Sequence, residues 1–132
     1  MIKDRTALKP FLNKAATAQD EATRLSTVSA LLASPQTVLD HFPMKALRLL
    51  RSWLIDALSS ATTPPGEQTQ ALILANLQLL DRIPMTAEGV LESKIGQVVV
   101  KVTKLTQLPT QHLTLAKRVS EKLVSIVSTF FW

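Results

Sequence analysis

The chain has 132 residues, 15 lysines and arginines against 10 aspartates and glutamates, a net charge of +5, 46% apolar residues and no cysteine. That length suits one domain with a sizeable core, and the composition is too apolar for a disordered chain. The lack of cysteine excludes disulfides, thiolate metal sites and cysteine nucleophiles. No run of apolar residues reaches the length of a membrane span, and the first residues lack the apolar segment of a signal peptide, so a soluble cytosolic or nuclear protein is expected.

Prolines at positions 10, 35, 43, 64, 65, 84 and 109 divide the chain into segments of helical length, nearly all with helical periodicity, which predicts an all-α fold. Asp20 is placed to cap a helix whose apolar side is Leu25, Val28, Leu31 and Leu32. Ser34 stands before Pro35 as a capping hydroxyl before a proline at a first helical position, opening a short helix through Val38 and Leu39. Pro43 opens an amphipathic helix with Leu47, Leu50, Trp53, Leu54, Ala57 and Leu58 on one side, and Trp53 is placed near the edge of the core.

Residues 59–67, with Thr62-Thr63-Pro64-Pro65-Gly66, form the clearest loop. The chain therefore reads as a single domain over 1–132, in which an N-terminal helical extension (1–61) packs on a second helical module (67–132) across a loop at 62–66. From 68 to 82, Leu72, Ile73, Leu74, Leu77, Leu79 and Leu80 make a helix apolar around so much of its girth that it should be the spine of the core.

Pro84 ends that helix, and Thr86 is placed to cap a short one after it. Gly96 lies where the next helix begins; because glycine is unfavourable in helices, a close packing contact is expected there. The valine-rich stretch 95–105 fits either a strand or a helix by composition, but Ile95, Val98, Val99, Val102 and Leu105 follow helical spacing and no partner strand is evident. As a helix it leaves Val100 off the core stripe, an apolar spot beside Lys101 and Lys104. A long closing helix from 109 to 131 buries Leu113, Ala116, Val119, Leu123, Ile126, Val127 and Phe130, with Lys117, Arg118, Glu121 and Lys122 outward.

Enzymatic chemistry finds no constellation. There is no Gly-rich phosphate loop, no HExxH and no GxSxG, while His41 and His112 fall at helix ends, so no catalysis, cofactor or metal is expected. Between Glu92 and Glu121 every charged side chain is basic: Lys94, Lys101, Lys104, Lys117 and Arg118. Such a stretch is either an ordinary solvated face or a surface for an acidic partner. A basic helical nucleic-acid-binding domain is the alternative reading, with weak, non-specific contact, since sequence readout favours arginines and stacking aromatics, and Phe11, Phe42, Trp53, Phe130, Phe131 and Trp132 lie elsewhere.

Residues 72–123 resemble the TFIIS N-terminal domain, a helical module shared by transcription elongation factors. The likeness rests on Leu80, Ile83-Pro84-Met85-Thr86, Leu91, Ser93, Ile95-Gly96, the basic end at Lys101 and Lys104, and Leu115-Ala116-Lys117. Upstream, Arg24 to Leu32, Val38-Leu39-Asp40, Trp53-Leu54 and Pro64-Pro65 are similar to the conserved core of the Iws/Spn-type elongation factor. The chain departs from the pattern at Gln97, where the family carries a basic residue, and at Leu123, where it carries tryptophan.

The resemblance implies a compact right-handed bundle of about seven to eight helices, HEAT/ARM-like in form. It implies a nuclear, monomeric, non-catalytic module of the elongation machinery, which docks short disordered acidic and hydrophobic segments of partners such as the Spt-class histone chaperone travelling with RNA polymerase II. The contacts it suggests are Lys101, Lys104, Leu105 and Leu108, with Pro65 and Gly66 from the preceding loop. Leu105 fits a core position equally well. Gly96, Pro84, Thr86 and Trp53 are the structural residues.

Overall fold

The computed structural model describes residues 5–59, 66–105 and 108–131, with side chains described from residue 6 through residue 128. Among the described residues the regular structure is entirely helical: α1 (Arg5–Ala15), α2 (Glu21–Leu32), α3 (Gln36–Leu39), a 3-10 turn (Met44–Ala46), α4 (Leu47–Leu58), α5 (Glu67–Arg82), α6 (Ala87–Ser93), α7 (Ile95–Thr103) and α8 (Thr110–Phe131). The stretch with strand-like composition is α7, where Ile95, Val98, Val99 and Val102 are buried along one side. Burial on a 3.6-residue period outweighs the mild preference of valine for strands.

α1 is the element that sequence reasoning missed. Pro10 was read as a boundary, yet it lies inside this helix. Leu8, Leu12 and Ala15, at helical spacing on both sides of the proline, are all buried. Their burial holds the helix together although Pro10 forgoes a backbone hydrogen bond.

α5 is the spine. It buries Leu72, Ile73, Ala75, Leu77, Leu79 and Leu80 and packs on α2, α4 and α8, with its broadest contact against α2. Each fully buried leucine or isoleucine contributes roughly 1.5–3 kcal/mol relative to exposure, before the entropy of ordering is subtracted. One contiguous core runs from Leu8 to Leu123 and joins both halves of the chain. The loop expected over 59–67 falls mostly on residues outside those described.

Helix boundaries follow the expected devices, with one correction. Asp20 accepts the backbone N–H of Thr23 at 3.0 Å and so caps α2; the Thr23 hydroxyl bond, then the backbone bond, draws the Asp20 carboxyl below its ordinary 3.8. Pro84 follows Ile83, which is extended and ends α5. Ser34 does not cap α3: its hydroxyl turns back and donates to the Ala30 carbonyl of α2 at 2.8 Å, and Pro35 occupies the cap position without a side-chain bond.

Trp53 is also deeper than its place at the edge of the core suggested, only 2% exposed. The guanidinium of Arg24 lies 5.6 Å above its ring while pairing with Asp56 at 2.8 Å and donating to the Ala18 carbonyl at 3.1 Å. A cation fixed over an aromatic face in this way couples α2 to α4 through charge and apolar contact together.

Candidate functional site

The side of the bundle formed by α6, α7 and α8 is assembled by a tight corner. Thr86 accepts the Gly89 N–H at 3.0 Å and starts α6. Gly89 then rests on the 3-10 turn so closely that a Cβ there would lie 2.8 Å from the Met44 sulfur. α6 and α7 meet at Lys94, which is left-handed with φ 58° and serves as the C-cap of one helix and the N-cap of the next. Ser93 secures the corner: its buried hydroxyl donates to the Val90 carbonyl at 3.2 Å and accepts the Ile95 N–H at 3.3 Å. This gives a physical reason for a small hydroxyl residue two positions before Ile95-Gly96.

The corner leaves a groove of about 910 Å³ between α6, α7 and α8. Its floor includes Val90, Gly96 and Leu123, and three apolar side chains stand exposed along it: Leu91 at 42%, Val100 at 39% and Val124 at 61%. They are the only large hydrophobic side chains exposed among the described residues. Isolated exposed leucines are unremarkable, but three gathered in one concavity are not. Lys94, Lys101 and Lys104 line the same groove, and no carboxylate does among the described residues. The nearest acid in sequence, Glu92, turns away and pairs with Arg48.

The groove brings together Val100, Lys101 and Lys104 as the sequence suggested, and adds Leu91, Lys94, Gln97, Val124 and Val127. The α8 wall was not foreseen, because periodicity assigned Val127 to the core and gave Val124 no role. Other expected contacts lie elsewhere. Leu108 is 4% exposed and belongs to the core, while Leu105 is half-buried against that core and off the groove. Leu108 donates its N–H to the Leu105 carbonyl at 3.1 Å. Gly66 is the N-cap of α5 and does not line the groove, and Pro65 lies outside the described residues.

The expected close contact at Gly96 is also corrected. A Cβ built there would meet only Leu123 Cδ1, at 3.9 Å, an ordinary contact. The crowded glycine is Gly89. Lys122 was expected to point outward and instead turns in, its ammonium donating to the carbonyls of Leu80, Asp81 and Ile83 at 3.0, 2.9 and 2.9 Å. Burial pushes its pKa below 10.5, with Asp81 opposing that shift. One side chain of α8 thereby satisfies the free carbonyls at the end of α5.

Arg82, at the end of α5, does the same for α2, donating to the carbonyls of Leu32 and Ser34. Among the described residues no cluster of histidine and carboxylate side chains has the makings of a metal site, and no helix is long and apolar enough to cross a membrane. Comparison with known protein families, with curated proteins and with solved structures finds no match.

Proposed function

We propose that this protein is a non-catalytic docking module whose groove between α6, α7 and α8 captures a short acidic segment carrying an apolar anchor. The observation that supports this most is the pairing of exposed Leu91, Val100 and Val124 with Lys94, Lys101 and Lys104 in one concavity that, among the described residues, no carboxylate lines. An apolar floor gives the partner a place to bury hydrophobic surface, and the ammoniums select its sign of charge. A segment that orders on binding loses several kcal/mol to that ordering, so micromolar affinity is expected.

The likeness of residues 72–123 to the TFIIS N-terminal domain extends the reading. On that likeness the module serves nuclear transcription elongation, and its partners are disordered segments of elongation proteins such as a histone chaperone of the Spt class. Nucleic acid suits this groove less well, since a phosphate backbone has no use for its exposed valines and leucine and, among the described residues, no aromatic side chain lines it for stacking.

The test is selection of displayed random peptides on the wild-type protein, followed by binding to a Lys101→Glu, Lys104→Glu double variant. Selected peptides are expected to be rich in aspartate and glutamate around an apolar residue and to lose at least about tenfold in affinity on the variant, with helical circular dichroism unchanged. Undiminished binding to the folded variant, or peptides without acidic bias, would overturn the assignment.

A further inference from the structure

We infer that Gly96 is the seat of the partner's apolar anchor and sets how bulky that anchor is; this rests on the docking reading above. Glycine is, after proline, the least favourable residue in a helix, so a glycine inside α7 calls for a reason. Conformation does not supply one, since no described glycine has positive φ. Internal packing does not supply one either, because among the described residues a Cβ would touch only Leu123 Cδ1, at 3.9 Å. Gly89 marks the contrast: there a Cβ would lie within 3.0 Å of three Met44 side-chain atoms, so packing within the fold favours the glycine.

What surrounds Gly96 is the groove. It shares that lining with Leu91, Val100, Leu123 and Val124, so the missing side chain leaves bare backbone ringed by apolar groups. Any larger residue would project into the space that a partner's side chain needs. The charges add register. Lys94 stands at the corner just before Gly96, whereas Lys101 and Lys104 lie ~7.5 and ~12 Å further along the α7 axis at 1.5 Å per residue. An occupant seated on Gly96 therefore meets ammoniums on both sides of its anchor. The fitting partner is an acidic segment with one bulky aliphatic side chain flanked by carboxylates both before and after it.

The experiment uses the peptides selected on the wild-type protein, each also made with its apolar anchor cut back to alanine. Gly96→Ala and Gly96→Leu are expected to weaken the parent peptides by about tenfold or more, equivalent to ~1.4 kcal/mol, while the alanine peptides bind the wild type weakly and the variants no worse. Gly96→Ala is expected to melt no lower than the wild type. Parent peptides that bind Gly96→Leu as tightly as the wild type, yet still depend on Lys101, would overturn the seat and leave the docking reading standing. A lowered melting temperature for Gly96→Ala would also overturn it, by making the glycine a requirement of the fold. Failure to select any peptide dependent on Lys101 would overturn both.

Discussion

The ammonium of Lys122 lies 2.9 Å from the carbonyl oxygen of Ile83, the residue that ends α5. Because the same nitrogen also reaches Leu80 and Asp81, its removal strands three carbonyls at once. Lys122→Met keeps the aliphatic stem and loses the donor, and is expected to destabilise by about 2 kcal/mol in a urea melt. Lys117→Met, on the exposed face of the same helix, is expected to be close to neutral. Equal effects from the two substitutions would contradict the capping role.

Gly89→Ala would press a methyl group against the Met44 side chain, with its nearest atom 2.8 Å away. A loss of about 1–3 kcal/mol is expected. The loss should shrink when Met44→Ala is added, since the second substitution removes the clashing atoms; simple additivity in the double variant would mean that the strain arises elsewhere.

Lys94 is the only described non-glycine residue with positive φ. Lys94→Gly should therefore stabilise by up to about 1 kcal/mol, the relief of left-handed strain being partly offset by a more flexible unfolded chain. The same substitution removes one ammonium from the groove, so it is expected to raise the melting temperature and weaken acidic peptides together. A variant that melts lower would contradict the strain.

Asp20 contributes a pH dependence of its own. Its carboxyl is drawn below 3.8 chiefly by the Thr23 hydroxyl, so the folded chain binds this proton more weakly than the unfolded one. The stability it adds is complete above the unfolded value and disappears as pH falls through the lower, folded value. The difference in urea midpoint between wild type and Asp20→Ala is expected to be constant near neutrality and to collapse in acid strong enough to protonate the folded carboxyl, below its ordinary 3.8. A difference that persists there would mean that the cap does not depend on charge.

Most of the helical framework was legible in the sequence, because its devices are local. Asp20, Thr86 and Pro84 act within one turn of their own positions, and α7 betrayed itself by the period of Ile95, Val98, Val99 and Val102. What escaped was set by partners distant in the chain. Lys122 looks solvated on a helical wheel, and only the approach of α5 turns it inward. The cost of glycine in a helix pointed to Gly96 as the crowded residue, whereas the pressure falls on Gly89 because Met44, from another segment, packs there. Val100, Lys101 and Lys104 were recognisable as one edge of a surface. The opposite edge, Val124 and Val127, was not, since no local pattern tells which apolar residues of a long helix the fold leaves uncovered.

The arginine and lysine caps also tie one helix to the next. Arg82 closes the end of α2 only once α5 is in place, and Lys122 closes the end of α5 only once α8 has docked. Each of these two helix ends thus depends on a side chain from a later helix, and α8 also supplies a wall of the groove. Lys122→Met would therefore loosen the helix that forms this wall, so damage to the end of α5 would carry into the shape of the groove.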